Sequence, residues 1–284
     1  GMELSTVFAK MGVDVTVVEM LDGVLPGYED DVSRVVKGRA DELGIEFNFG
    51  EAASEWEETE GGIVVTTEDE DGEESTYDAE KVLVAVGRQP VSDSLDPEEA
   101  GVEVTENGFI ETGQQARTNV ENIFAVGDVA GEPMLAHKAS KEGIVAAEVI
   151  AGEPAALDQQ AVPAAVFTDP EIATVGMTEA EAEEAGFEPK IGQFPFRASG
   201  RALTTGESEG FVRIVAEAEA GFILGAQIVG PEASELIAEL ALAVEMGATL
   251  EDVASTVHTH PTLAEAVMEA AENAEGQAIH TLNR

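Results

Sequence analysis

Val13-Asp14-Val15-Thr16-Val17-Val18-Glu19 follows an amphipathic segment at residues 3–11 and a tight turn at Gly12. β-Branched residues dominate the run, which suits a buried strand, and it closes on an acid. The segment before it reads as a helix with Leu4, Val7, Phe8 and Met11 on one face. Helix, tight turn, buried strand and terminal acid make up the second half of a dinucleotide-binding unit. In such a unit Glu19 takes the ribose hydroxyls of NAD, and an acid there would repel the extra phosphate of NADP. Gly1 then stands as the last glycine of a G-x-G-x-x-G loop whose earlier part is missing from the sequence. The opening Gly1-Met2-Glu3-Leu4 enters its helix without a cap, as expected of a chain cut within a structural unit. A strand ending in Glu also occurs without any nucleotide, so the remainder of the chain has to decide.

Downstream, a helix spans roughly Asp30 to Leu43, closed by Gly44, and Ile45 to Phe49 is a short strand. Gly62 to Thr67 and Glu74 to Tyr77 alternate around Asp71-Gly72, the pattern of a hairpin. Lys81-Val82-Leu83-Val84-Ala85-Val86-Gly87-Arg88-Gln89-Pro90 reads as a buried strand running into a glycine loop. A nucleotide-binding domain thus extends to about residue 85. A polar connector with Pro97, Gly101 and Gly108 leads to Ile123-Phe124-Ala125-Val126-Gly127-Asp128. A short apolar strand ending in Gly-Asp can bring an aspartate to a ribityl hydroxyl. Pro133-Met134-Leu135-Ala136-His137-Lys138-Ala139 then opens a helix through Val149, whose first-turn N–H groups suit charge on a reduced flavin ring. An ordinary strand–loop–helix fits the same residues, with His137 as a cap or packing residue. Phe211 to Val215 and Phe222 to Val229 read as strands, and Ser234–Met246 and Leu250–Val257 as helices.

Near the end stands His258-Thr259-His260-Pro261-Thr262-Leu263-Ala264-Glu265. Pro261 suits the first turn of a helix and pushes His260 towards extended geometry at its mouth. Glu265 lies four residues after Pro261, on the same helix face and one turn below the histidine. A carboxylate there can accept Nδ1–H of His260 and fix its tautomer, the base–orienter pairing that activates a nucleophile. The spacing alone equally fits a histidine capping a surface helix beside a solvated glutamate. His258, two positions earlier, points elsewhere and takes a structural role.

Composition narrows the classes. The 284 residues carry 58 acidic against 14 basic side chains, a net charge of -44, with only six lysines. Acids occur throughout, including Glu29-Asp30-Asp31, Glu68 to Glu74 and Glu179 to Glu184, so this is no acidic tail. At multimolar salt the Debye length falls below ~3 Å and such repulsion is screened. The chain is read as halophilic and cytoplasmic, with no nucleic-acid or membrane partner. There is no cysteine, hence no disulfide, thiolate metal site or nucleophilic thiol from these residues. No run of 18 apolar residues and no signal peptide occur.

Taken together, these motifs resemble the FAD-dependent pyridine nucleotide–disulfide oxidoreductases. Val17-Val18-Glu19, Val86-Gly87-Arg88-Gln89-Pro90, Ile123 to Asp128 and Pro133 to Ala139 carry the resemblance. Val166-Phe167-Thr168-Asp169-Pro170-Glu171-Ile172-Ala173-Thr174-Val175-Gly176 and the His258-to-Glu265 stretch complete it. Six motifs in this order and spacing are highly specific, and they cover essentially the whole chain. The resemblance implies an α/β fold: an N-terminally truncated Rossmann-like NAD domain (1–85), part of an FAD domain (86–157), then an α+β dimerisation domain (158–284). It implies NAD contacts from Gly1, Met2, Glu3, Glu19, Ala53 and Gly87, and FAD contacts from Asp128, Met134, Leu135, Ala136 and His137. His260 and Glu265 become the catalytic base and its orienter, serving the partner subunit of a homodimer.

Within the family the nearest likeness is to enzymes that reoxidise protein-bound dihydrolipoamide through a disulfide and FAD, with NAD as acceptor. Their partners are the lipoyl-bearing proteins of 2-oxo acid dehydrogenase or glycine cleavage complexes. Glutathione-type reductases share the His-Pro…Glu ending but use NADPH, against which Glu19 speaks. Mercuric reductases would carry terminal cysteines. A cysteine-less transhydrogenase of this family and a non-catalytic dimerisation module are the remaining alternatives. The redox cysteines and first FAD fingerprint of the family are absent, so the chain resembles the carboxyl-terminal part of a longer enzyme.

Overall fold

A computed structural model describes residues 1–283. Two compact units emerge, one formed by residues 1–85 together with 163–283 and the other by residues 86–162. In the first, helix α1 (Met2–Lys10) leads into β1 (Thr16–Glu19), then helix α2 (Asp30–Glu42) and β2 (Glu46–Phe49). β1 and β2 pair in parallel, with Val17 opposite Phe47 and Glu19 opposite Phe49. Strands β3 (Glu51–Thr59), β4 (Gly62–Asp69) and β5 (Glu74–Ala79) form an antiparallel sheet in that order. The expected β4–β5 hairpin is present, its turn held by Asp69 Oδ1, which accepts the N–H groups of Asp71 and Glu73. β3 is an addition to the sequence reading. Its residues are exposed on both faces, so no apolar alternation announces it.

Two expectations for this part need correction. Residues 81–86 form no strand, and Val82, Leu83, Val84 and Val86 are exposed. An apolar run becomes a strand only against a neighbouring edge, and the parallel sheet described here consists of β1 and β2 alone. The apolar face of α1 is likewise uncovered: Leu4, Val7, Phe8 and Met11 are exposed, while Ser5 and Thr6 are buried. Their hydroxyls are satisfied within the helix, donating to the carbonyls of Gly1 and Met2.

The second unit is built mostly of turns. Short 3-10 segments occupy Asp93–Leu95, Pro97–Ala100 and Gly127–Ala130, and isolated bridges join Val104 to Ile110 and Arg117 to Phe124. The strand expected at Ile123–Asp128 is reduced to that second bridge. Ala125 is buried while Asp128 is exposed. Helix α3 (Ala136–Ile150) starts three residues after Pro133 and buries Val145, Ala146 and Val149.

The second segment of the first unit contains β6 (Ala164–Val166), β7 (Glu171–Gly176), α4 (Glu179–Glu184), β8 (Pro189–Pro195) and α5 (Gly200–Thr205). β9 (Phe211–Glu217), β10 (Ile223–Gly230), α6 (Ala233–Met246), α7 (Leu250–Ser255) and α8 (Glu265–Ala274) follow. The five strands form an antiparallel sheet in the order β6-β7-β10-β9-β8, with α6 on β7 and β10 and α8 on β8 and β9. α8 sits close: a Cβ built on Gly192 of β8 would lie 2.0 Å from the Ala270 carbonyl oxygen. Glycine is required there so that a helix of buried alanines can lie directly on the strand.

Val32 and Val36 of α2 enter one apolar cluster with Ile172, Phe211 and Val229 from the five-stranded sheet, joined by Met2 and Val166. Polar ties reinforce this packing. Lys10 Nζ lies 2.8 Å and Arg39 Nε 3.2 Å from Asp169 Oδ2, and Glu3 Oε1 accepts the Phe167 N–H at 2.7 Å. Burial works against the Asp169 carboxylate, but Lys10 and Arg39 hold its pKa below the usual range. Arg213 of β9 is the deepest cation of the seam. It donates to Asp31, to Gln227 Oε1 at 3.0 Å and to Gln193, and stacks on Phe211 at 4.7 Å. Among the described residues, no helix is long and apolar enough to cross a membrane.

Candidate functional site

The His-Pro stretch follows α7, a helix closed at its entrance by a capping box between Thr249 and Asp252. His258 is pinned: Nε2 lies 2.9 Å from Glu239 Oε1 on α6, Nδ1 lies 2.8 Å from the Thr256 carbonyl, and the side chain is 6% exposed. His260 is the opposite, 79% exposed, with Nδ1 2.8 Å from Glu265 Oε1. The contact expected from sequence is present, but the helix that makes it is shorter than expected. α8 begins at Glu265 itself, so Pro261 lies outside the helix rather than in its first turn. The loop curls back instead: Glu265 Oε2 accepts the Thr262 N–H at 2.8 Å, and the Thr262 hydroxyl donates to the Thr259 carbonyl at 2.7 Å. The carboxylate therefore holds both the loop backbone and the imidazole.

Two consequences follow for chemistry. Nδ1–H donating to Glu265 leaves the outward Nε2 as the acceptor, the tautomer a general base needs. Partial burial opposes the Glu265 charge, but the Thr262 amide and His260 together hold its pKa below the ordinary carboxyl value. The sign is that of a depressed acid. Its contribution is present above the ordinary carboxyl range and lost as pH falls through the lowered pKa.

A third histidine–carboxylate pair, like that of His258 with Glu239, escaped the sequence reading. Glu269, one turn below Glu265 and 3% exposed, contacts His280 Nδ1 and accepts the backbone N–H groups of Ile279 and His280. The carboxyl-terminal segment is thus tied to α8, with Asn273 Nδ2 donating to the Leu282 carbonyl. The four-residue spacing of Glu265 and Glu269 was the available signal. Hydrogen bonding to Glu269 raises the His280 pKa above its ordinary value. The pair's contribution is therefore complete below about pH 6.5 and is lost as pH rises through the elevated pKa. An NMR titration of the His280 ring should give a midpoint above that of an unfolded-chain histidine, and Glu269→Gln should bring it down. An unchanged midpoint in that variant would exclude the pairing as the cause.

The nucleotide-side residues of the first unit are arranged around two chain ends. Glu19 closes β1, half-buried, and its Oε1 accepts the Leu21 N–H at 3.0 Å. α1 starts at Met2 with no side-chain cap, so the amides of its first turn have no acceptor within the helix. Glu3 turns its carboxylate to Phe167, which leaves its backbone as the group at the helix mouth. A Cβ at Gly1 would meet only the Ala85 Cβ, at 3.6 Å. Ala53 is exposed on β3, opposite Thr67. These groups fit an anionic dinucleotide: amide donors for phosphates and a carboxylate for a ribose diol.

In the second unit Gly87 is exposed on an irregular segment, and Arg88 Nη1 lies 3.3 Å from Asp128 Oδ2. Asp128 directly follows Gly127 in the 3-10 turn and its side chain is 47% exposed. Met134 and Leu135 are half-buried before α3, and Leu135 precedes its first residue, Ala136, without a side-chain cap. His137 follows on the first turn. A carboxylate and an uncapped helix start in one unit fit a polyhydroxyl chain and an electron-rich ring, the donor set of a flavin.

Comparison with known proteins supplies the context. Residues 1–143 match the family model described as pyridine nucleotide-disulphide oxidoreductase, and residues 162–271 match the dimerisation domain of the same group. The chain is 73% identical over 285 residues to the dihydrolipoyl dehydrogenase of Haloferax volcanii, covering 100% of itself and 60% of that relative. It is 72% identical to that of Halobacterium salinarum, again covering 100% of itself and 60% of the relative. Among solved structures, LpdA of Mycobacterium tuberculosis superposes with a TM-score of 0.87 at 30% identity, over 95% of this chain and 58% of that one. The chain therefore spans 60% of the length of the relatives it matches. The haloarchaeal origin of these relatives accords with the acidic composition.

Proposed function

The chain belongs to the pyridine nucleotide-disulphide oxidoreductase family, and we propose that it supplies the base and the nucleotide-binding groups of a dihydrolipoamide-oxidising flavoenzyme. The observation that carries the proposal is the His260–Glu265 contact of 2.8 Å, with an exposed imidazole on the loop before α8 and its carboxylate partner on the helix's first residue. A dithiol of pKa about 8.5 is only partly ionised near neutrality, so a base at Nε2 raises the thiolate fraction at the moment of attack. Glu265 keeps the imidazole in the right tautomer and stabilises the imidazolium that forms. With no cysteine among the 284 residues, a disulfide taking part in the reaction lies outside them.

When bound, FAD would accept the two electrons of the dithiol and NAD would take them on as hydride. Asp128 would hold a ribityl hydroxyl, and Met134, Leu135, Ala136 and His137 would line the ring at the start of α3. The amides of Gly1, Met2 and Glu3 would face the NAD phosphates, Glu19 the adenine-side ribose, and Ala53 a flank of the dinucleotide. The matched dimerisation model supports a homodimer in which each His260 serves the partner's dithiol site. The relatives' names support lipoyl-bearing proteins as partners, and the acidic composition supports a cytoplasm rich in salt.

The test is an assay of this chain completed with the portion of the haloarchaeal relative that it does not span. Dihydrolipoamide should reduce NAD, and NADP should be a poor substitute. NADPH-driven reduction of glutathione disulfide without lipoamide activity would overturn the reading.

A further inference from the structure

Against the Gly127-Asp128 turn lies a buried ion pair. Glu142 of α3 is 6% exposed, and its Oε2 accepts the Gly127 N–H at 2.7 Å. Its Oε1 lies 2.6 Å from Lys138 Nζ, one helical turn earlier on the same face. Lys138 in turn donates to the Gly131 carbonyl at 3.1 Å. Both ends of the 127–131 turn are thus tied to a single helix, the first through Glu142 and the second through Lys138. The turn has no slack: Gly127 has φ +77°, and a Cβ there would meet the Ala139 Cβ at 3.3 Å. Burying a carboxylate is costly unless every oxygen is paired, so this arrangement is more than a loop resting on a helix.

We propose that Glu142 is a positioning residue of the flavin site: by holding the Gly127 amide it sets the direction of the adjacent Asp128 carboxylate, while Lys138 balances its charge and anchors the far end of the turn. This rests on the assignment of Asp128 to FAD made above. The acceptor oxygen and the charge have separable duties. The oxygen fixes the backbone next to Asp128, and the charge keeps a buried lysine paired.

The duties can be separated in the completed, FAD-containing protein, with FAD affinity read from flavin fluorescence and stability from thermal unfolding of the apoprotein. Glu142→Ala removes the acceptor and should weaken FAD binding roughly tenfold or more, as expected when a buried amide loses a charged partner. Glu142→Leu, which keeps the volume, should do the same and replaces alanine if that variant does not fold. Glu142→Gln retains an acceptor for Gly127 and should hold FAD affinity within about threefold, although unfolding occurs at lower temperature because Lys138 is left unpaired. Asp128→Ala is the control for the underlying assignment. If Asp128→Ala leaves FAD affinity unchanged, the flavin reading fails and the proposal with it. If Asp128→Ala weakens binding but Glu142→Ala and Glu142→Leu do not, the positioning role alone is overturned. Equal loss of FAD affinity and stability in Glu142→Gln and Glu142→Ala would also overturn it, leaving only a structural ion pair.

Discussion

Replacing His260 with alanine in the completed protein lowers dihydrolipoamide-dependent turnover by about 10²–10⁴-fold, the usual worth of a positioned general base. Reduction of the flavin by NADH should change far less, because no thiol proton is moved in that half-reaction. The split between the two assays separates a base from a residue that merely supports the fold, which would depress both. The residual rate of His260→Ala should rise with thiol ionisation, towards pH about 8.5. Glu265→Gln should be the milder change: the amide still reaches the loop, but Nδ1–H loses its anionic partner. Equal loss in both half-reactions would remove His260 from the chemistry.

The largest effect on stability is expected at Arg213. Its side chain is 12% exposed and faces Asp31 and Glu29, whose side chains are 39% and 36% exposed. Removing one member of a buried ion pair costs about 3–5 kcal/mol, and the partial exposure of both acids places Arg213→Met near the lower end. At roughly 2–4 °C per kcal/mol for a chain of this size, the unfolding midpoint should drop by about 6–12 °C. Measurement belongs at multimolar salt, where general repulsion is screened but a short, shielded contact persists. Adding Asp31→Leu to Arg213→Met should recover part of the loss, since the orphaned carboxylate is then gone. A midpoint within about 1 °C of wild type for the single variant would show the seam to be held by its apolar cluster alone.

Much of this chain was legible because its signals are local. The Asp71-Gly72 turn and the α2, α3 and α6 helices each depend on a few neighbouring residues and lie within three residues of where the pattern put them, whereas β1 covers only Thr16–Glu19 of the run before Glu19 and none of its residues is buried. The His260–Glu265 pair was also legible, although through the wrong geometry: a helix from Pro261 was expected, and a loop folded back on the first residue of α8 delivers the same contact. Apolar runs misled where they had no edge to join. Residues 81–86 carry a strand's composition, but a strand is a relation between two segments, and no pairing edge among the described residues meets them.

By itself the sequence determined the acid at the end of β1, the absence of thiols, the acidic surface and the spacing that lets a histidine find a carboxylate. These are properties of residue type and short separation, and they survive without knowledge of the fold. Only the tertiary structure decided that His260 and His280 stand exposed beside carboxylates while His258 is pinned, and that Glu269 and Glu142 are buried acceptors. It also decided that Arg213 closes on Asp31, 182 positions away in the chain. Such contacts depend on burial and on partners remote in sequence. A glutamate on a helix reads the same whether water or a backbone amide meets it, and the packing of α3 on its turn and of α8 on β8 makes that choice.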